Sequence, residues 1–167
     1  LLCPVDYDWH DPNHRKKICD YHPDFLVTAH SWPTFLYENE KFDLNRPSNG
    51  LFKGRLLVKA FKQIFMSPTS ILKMDNEPHP TKRQRHDEQR THSHVASLLG
   101  MKSVSPRAVA YVAVQLRFTL SDCGSWWVVD GEFNYEEFHY NIVDFFEDAE
   151  TPGDKKIIRE LLLWWNW

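Results

Sequence analysis

Hydrophobic and polar residues change their pattern along the chain, and the first change separates an N-terminal arm from a helical region. Residues 1–47 contain half of the prolines, and their aromatic residues show no sustained period. Proline lacks an N–H group and restricts the residue before it, so we predict an extended arm with one short helix near 32–37. Five aromatic residues should anchor this arm to the body of the protein: Trp9, Phe25, Trp32, Phe35 and Tyr37.

The pattern becomes helical after Asn49, which is a good N-cap residue. Residues 50–65 place apolar side chains on one face and cations on the other, and Ser67-Pro68 would end this helix. The segment 73–94 contains a single hydrophobic residue, Met74, so it cannot bury enough apolar surface to offset its ordering entropy. We therefore predict a helix over 50–65 and a mobile polar insertion at about 73–94.

The most apolar element follows Ser105, a good N-cap, and begins with Pro106 at the first helical position. The apolar residues from Val112 to Leu120 also alternate as those of a buried strand would, which leaves a second interpretation open. The cap and the alanines of this segment favour a helix over 106–120. Its polar face is nearly absent, so we expect it to be the most buried helix.

Two more helices are predicted near the C-terminal end of the sequence. Asn134 and Glu137 resemble a capping box, which would begin a helix over 135–148. Thr151-Pro152 repeats the pattern of a cap followed by proline and begins the last helix. The short link between these two helices favours an antiparallel pair. Residues 126–129, which precede them, would form a short strand or an apolar plug.

Together these elements predict a mainly α fold, a helical bundle of four or five helices with an N-terminal extended arm. We expect one domain, in which residues 1–47 pack on the core and residues 48–167 form the helical part with its insertion. The length of 167 residues fits a single domain. A formal net charge of −3 excludes a global cationic field that would attract nucleic acid or lipid. No apolar run reaches the roughly 18 residues of a membrane span, so we expect no membrane partner.

The cysteines and the first residues bear on the protein's location and completeness. Cys3, Cys19 and Cys123 cannot all pair within one chain, which favours a reducing, intracellular compartment, either nuclear or cytoplasmic. The chain begins with Leu1 and shows no signal-peptide pattern, so we expect it to be part of a longer protein.

Several short motifs follow one another in a distinctive order along nearly the whole chain. They are Leu1 to Pro4 with Asp8-Trp9, Trp32 to Tyr37, Gly50 to Pro68, Gly100-Met101, Pro106 to Phe118, and Leu162 to Asn166. In this order they resemble a helical domain of unknown function found in large paralogous families of mushroom-forming (basidiomycete) fungi. The resemblance implies a eukaryotic, predominantly helical intracellular domain. It implies no established activity, substrate or catalytic residue.

Tryptophans in two clusters are the strongest functional signal of the sequence: Trp126 and Trp127, then Trp164, Trp165 and Trp167. Successive helical residues point about 100° apart, so Trp164 and Trp165 cannot both face one core. An exposed tryptophan is typical of a protein-binding surface. The alternative is that the arm or a further C-terminal segment covers these side chains. We predict a non-enzymatic protein-interaction module that binds an unidentified protein through Trp126, Trp127, Trp164 and Trp167.

Two groups of cations suggest a second function, that of a nucleic-acid-associated accessory domain. Arg55, Lys59 and Lys62 share the polar face of the 50–65 helix, where the alternative is a solvated face or pairing with acidic residues. Lys82, Arg83 and Arg85 form a short basic run of the kind found in nuclear import signals. Acidic neighbours dilute this run, so a solvated loop is the competing interpretation.

Nine histidines suggest the third function, a metal-dependent enzyme. His92 and His94 could supply two zinc ligands, but a structural site needs four and a catalytic site three plus water. His22 and Asp24 match part of an iron-binding triad in spacing only, and Pro23 lies between them. The chain has no nucleophile motif, phosphate-binding glycine loop or dinucleotide fingerprint. We therefore predict no catalytic residues, no metal and no cofactor.

Overall fold

The computed structural model describes residues 1–66 and 95–166, and this part of the protein is mainly helical. Its helices are α1 (Pro12–Cys19), α2 (Arg55–Phe65), α3 (Val95–Leu98), α4 (Pro106–Leu120), α5 (Tyr135–Glu147) and α6 (Pro152–Trp165). Three short 3-10 helices span Pro23–Phe25, Thr34–Leu36 and Glu38–Glu40. Strands β1 (Val129–Asp130) and β2 (Phe133–Asn134) form an antiparallel hairpin in which Val129 pairs with Asn134 and Asp130 with Phe133. The predicted mainly α class is confirmed, whereas the bundle of four or five helices stays a prediction.

Helix α4 lies at the centre of the core, as its nearly continuous apolar sequence predicts. It is a helix over its whole predicted length, so the strand interpretation was wrong. The Ser105 hydroxyl accepts a hydrogen bond from the Ala108 N–H at 3.3 Å, and Pro106 stands in the first turn. Eight of its side chains are buried, and α4 makes its most extensive helix contact with α5. Helices α2 and α5 both pack against the buried helix α4.

The predicted starts of α5 and α6 are confirmed by their caps. The Asn134 side-chain oxygen accepts hydrogen bonds from the backbone N–H groups of Glu136 and Glu137, at 3.0 and 3.1 Å. The Thr151 hydroxyl accepts one from the Asp154 N–H at 3.1 Å. These side chains satisfy N–H groups that a helix start would otherwise leave without a partner. Closure of the last two helices into an antiparallel pair stays a prediction.

Helix α2 begins at Arg55, five residues later than the sequence pattern suggests. The backbone is left-handed at Gly50 and at Phe52, with φ of 72° and 57°, so a right-handed helix cannot start at Asn49. Phe52 accepts this conformation because its ring is fully buried against Trp32, Phe145 and Phe146. Tertiary packing around Phe52 therefore makes α2 begin at a later residue than the local pattern predicts.

The N-terminal residues contain more helix than the predicted extended arm. Asp11 caps α1 and Pro12 occupies its first turn, so this start has the same cap-then-proline form as α4. Phe35 and Leu36 belong to the core, which also includes Tyr37. The backbone of these residues is tied to the helices, since the Asn141 side-chain N–H₂ donates to the Ala29 carbonyl at 3.0 Å.

The polar insertion predicted at about 73–94 lies outside the described residues. On either side of it, α2 ends at Phe65 and α3 begins at Val95, and the two helices contact one another. No helix of the described ranges is long and apolar enough to cross a membrane.

Candidate functional site

The hairpin patch, residues 126–129, is a run of four apolar side chains on the surface of the protein. Trp127 is the most exposed of them, with 65% of its surface accessible, and the other three are about half exposed. This segment does not form the predicted apolar plug, because the core is already filled by the aromatic rings beneath it. The alternative prediction, a short strand over 126–129, is confirmed only for Val129, which is the first residue of β1.

The hairpin patch is held firmly on the body of the protein. The Trp126 ring packs against Phe118 and Tyr135, with centroid distances of 4.9 and 5.2 Å. The Tyr135 N–H donates to the Val128 carbonyl at 2.8 Å, which joins the patch to the start of α5. Gly131 has φ of 59°, a left-handed conformation that the turn between β1 and β2 requires and that glycine adopts without strain. Trp127 is therefore presented to solvent on a fixed backbone.

The C-terminal tryptophans divide between core and surface. Trp165 is buried against Phe61 at 5.1 Å, while its neighbour Trp164 is partly exposed and contacts the Lys53 ammonium, 5.4 Å from its ring centroid. The side-chain N–H of Trp165 is buried and has no hydrogen-bond partner in the described part of the chain. Trp167 lies outside the described residues. Only Trp164 of the predicted C-terminal surface residues can thus be placed.

The predicted basic face is present on α2, but its side chains are not all exposed and they interact with other groups. Arg55 is exposed, Lys59 and Lys62 are half-buried, and each of the three side chains interacts with another group. Lys82, Arg83 and Arg85, the candidate import signal, lie outside the described residues.

Three histidines of the described residues, His14, His22 and His30, each lie within 4 Å of a carboxylate. The longest-range of these pairs joins His30 Nε2 to Glu137 Oε1 at 3.0 Å, between the arm and α5. His22 and Asp24 are 3.7 Å apart within one turn, where the His22 ring also accepts the Asp24 N–H. Over residues 1–66 and 95–166, no three His, Cys, Asp or Glu residues are grouped as metal ligands would be. His92 and His94 lie outside these ranges.

A cavity of about 550 Å³ separates the N-terminal residues from the end of α4 and the β-hairpin. We call it the Arg117 cavity, after the cation that lines it. Its walls are mainly apolar and include Leu2, Trp9, Phe25 and Val27. Only 7% of the surface of Arg117 is accessible, and its guanidinium carbon lies 3.4 Å from the centroid of the Phe133 ring.

Comparison with known proteins decides the family. A family of unknown function (DUF6698) matches residues 1–167, the whole chain. The chain belongs to this family. Membership confirms the expected domain of unknown function, while the distribution among fungi stays a prediction. No curated protein and no solved structure matches the chain.

In this member of the DUF6698 family, sequence reasoning missed Arg117. The signal was present, because Arg117 is the one charged residue between Ala108 and Leu120 in the most apolar helix. A cation in such a run must either reach solvent or lie buried next to groups that stabilise it. Its aromatic neighbours are Phe133 and Tyr135, which are 16 and more positions away in sequence, so the pairing is not visible without the fold.

Proposed function

We propose that this domain is a non-enzymatic protein-interaction module and that the hairpin patch is its binding surface. The observation that carries this proposal is the run of four consecutive exposed apolar residues, 126–129, on a folded hairpin. Four exposed apolar side chains in succession add nothing to the buried core, and a contiguous exposed apolar run of this kind is typical of an interaction surface. A partner that covers them would remove this apolar area from water.

The composition of the hairpin patch suits a binding hot spot. Tryptophan buries on the order of 150–250 Å² in an interface and is enriched among the residues that dominate binding energy. Trp127 supplies an accessible ring, and the hydrogen bond from Tyr135 to Val128 keeps the backbone beneath it ordered. Little conformational freedom is then lost on binding, which favours affinity.

The charges around the hairpin patch indicate what kind of protein surface it fits. The exposed charged residues on either side of it in sequence are acidic, Asp122 and Glu132. We therefore expect a partner surface with an apolar centre and cations at its edge. An intracellular location, nuclear or cytoplasmic, goes with this proposal. The nucleic-acid and metal-enzyme alternatives keep only their support from sequence.

The experiment compares proteins that co-purify with the wild-type chain, with Trp127→Ser and with Tyr140→Ser. Tyr140 is an exposed aromatic residue on α5, and so it is a matched control for the loss of a surface ring. A specific partner should be retained by wild type and Tyr140→Ser and lost by Trp127→Ser. Titration calorimetry with that purified partner should show at least about a ten-fold higher Kd for Trp127→Ser.

Circular dichroism must first show that the variants remain folded, which we expect because both substituted side chains lie at the surface. Recovery of the same partners, with the same Kd, by wild type and Trp127→Ser would contradict the proposal. Sedimentation of the wild-type chain tests whether a second copy is the partner, in which case Trp127→Ser should lower the fraction of dimer.

A further inference from the structure

The Arg117 cavity contains a buried cation that no anion of the described residues contacts. None of the ion pairs of these residues includes Arg117, and none of their side-chain hydrogen bonds does so. Transfer of an unpaired charge from water into a protein interior is unfavourable unless other groups stabilise it. Among the described residues, the Trp165 N–H is the one buried side-chain group without a hydrogen-bond partner, so the guanidinium nitrogens of Arg117 open onto the cavity and can donate to a molecule inside it.

Three features stabilise this cation in part. The Phe133 ring stacks on the guanidinium, the Tyr135 ring centroid lies 5.6 Å from it, and the residue belongs to the last turn of α4, where the helix dipole favours a positive charge. Burial nevertheless lowers the pKa of Arg117, and the nearby Tyr135 and Asp130 only partly oppose this effect. Rings and a dipole stabilise charge, but they accept none of the in-plane N–H groups of the guanidinium.

The remaining lining of the cavity indicates which anion would fit. Most of the wall is apolar, and its other charged residues are all acidic: Asp122, Asp130 and Glu132. Asp122 and Glu132 are exposed and Asp130 is half-buried, so they belong to the solvent side of the cavity. Arg117 is the one cationic side chain of the lining, and the three carboxylates disfavour a dianion such as phosphate, whereas one carboxylate matches the fork of one guanidinium.

We propose that the Arg117 cavity binds a small amphipathic monoanion, a carboxylate on an aliphatic or aromatic body. The carboxylate accepts the guanidinium N–H groups, and the apolar body lies against the wall that the N-terminal residues form. A volume of about 550 Å³ falls within the range of about 300–1,000 Å³ that is usual for small-molecule sites. None of residues 126–129 lines the cavity, so this proposal does not depend on the proposed protein-binding function.

The test uses three probes that each carry one phenyl ring and differ in charge: 4-phenylbutyrate, 4-phenylbutyramide and phenyl phosphate as the dianion. Each is titrated into the 167-residue chain, and the chemical shift of the Arg117 Nε–H resonance is followed by NMR. The change in this shift with probe concentration gives Kd. We expect the carboxylate to bind with Kd of about 1 mM or lower and at least about ten-fold more tightly than the amide. Phenyl phosphate should bind more weakly than the carboxylate.

Two variants locate the binding. Arg117→Gln removes the charge but keeps a polar side chain, and it should abolish the preference for carboxylate over amide. Arg107→Gln is the matched control, because Arg107 lies on the same helix but is exposed and pairs with Glu147 at 3.5 Å. It should bind as the wild type does. Ile18→Trp enlarges a half-buried side chain of the wall and leaves Arg117 unchanged, so it should weaken the carboxylate at least about five-fold.

Four results would overturn the proposal. They are no binding of 4-phenylbutyrate to the wild type at about 10 mM, equal Kd for carboxylate and amide, tighter binding of phenyl phosphate, and an unchanged preference in folded Arg117→Gln. If Arg117→Gln does not fold, Ile18→Trp decides, and full carboxylate affinity in that folded variant would also overturn the proposal.

Discussion

His139 gives the protein a pH-dependent contribution to stability. Burial lowers its pKa below the ordinary value of 6.5, and the nearby charge of Arg107 lowers it further. Just below pH 6.5 the unfolded chain therefore binds a proton that the folded protein resists. Since the unfolded state then holds more protons, the free energy of unfolding falls as the pH decreases through the window beneath 6.5.

Substitution His139→Gln should remove this contribution. We expect the free energy of unfolding, measured in urea at about pH 7.5 and about pH 5.5, to change less with pH in the variant than in wild type. His10→Gln is the control, because His10 is an exposed histidine in the arm. An identical pH dependence in wild type and His139→Gln would show that the burial of this ring has no such effect.

At the scale of single residues, the sequence predicts what depends on near neighbours. Ser105, Asn134 and Thr151 cap helices as expected, because a cap needs only an oxygen and an N–H two or three residues away. Arg117 was not predicted, because its stacking partner Phe133 reaches it through a turn and a hairpin. Trp164 and Trp165 face different surroundings, as the helical period predicts, but Phe61, which Trp165 packs against, comes from a distant helix.

Among the elements, the contact between α2 and the 3-10 helix Thr34–Leu36 depends on one glycine. The Gly54 N–H donates to the Leu36 carbonyl at 3.1 Å, and a Cβ at Gly54 would overlap the Phe35 carbonyl oxygen. Only a residue without a side chain permits this approach of two backbones. Gly54 also stands at the N-cap of α2, so it sets where that helix begins.

Substitution Gly54→Ala should therefore separate these two elements. We expect the free energy of unfolding to decrease by about 1–3 kcal/mol, because the added methyl group must displace backbone rather than a flexible side chain. Urea denaturation followed by circular dichroism measures this change. Gly124→Ala is the matched control, since a Cβ there meets open space, and it should shift stability by no more than about 0.5 kcal/mol. Equal midpoints for the two variants would contradict the role of Gly54.

Element boundaries show where local pattern stops being sufficient. The limits of α4 follow from its sequence, whereas α2 starts late because buried Phe52 holds a left-handed backbone that only the surrounding rings explain. Helix α1 was missed although Asp11 and Pro12 give a normal start signal, since it has no buried residue and hence no apolar stripe. A short polar helix leaves little trace in hydrophobic periodicity.

At the scale of the whole molecule, the N-terminal residues are part of the core. Cys3, Ala29, Phe35, Leu36 and Tyr37 are buried. Loss of one large buried side chain costs about 2–5 kcal/mol, and a whole domain is stable by only about 5–15 kcal/mol. We therefore expect that a chain of residues 48–167 does not unfold cooperatively.

The measurement compares residues 48–167 with the 167-residue chain by near-ultraviolet circular dichroism and urea denaturation. The shorter chain should lose its aromatic signal and its sharp transition while it keeps part of its helix. A cooperative transition with the slope and midpoint of the longer chain would show instead that the helices fold independently of residues 1–47.

The helical class of the molecule could be predicted from sequence because caps, prolines and periodicity are local. The arrangement could not, since α4 meets α5 most extensively, and this contact is set by the mutual fit of apolar faces rather than by loop length. The sequence predicted a binding surface at Trp126 and Trp127. The exposure of this segment could not be derived from sequence, because it depends on Phe118 and Tyr135, which fill the space beneath Trp126.

Because Trp165 is buried and Trp127 is exposed, the intrinsic tryptophan fluorescence of the protein should report on both its core and its surface. Indole fluorescence moves to shorter wavelength in an apolar setting, and Trp165 has such a setting and an N–H group without a partner in the described protein. Trp127 emits from water and is open to a dissolved quencher. Covering the hairpin patch would thus protect part of the long-wavelength emission from quenching, while unfolding of the core would remove the short-wavelength emission, so tryptophan fluorescence with a quencher distinguishes association from unfolding.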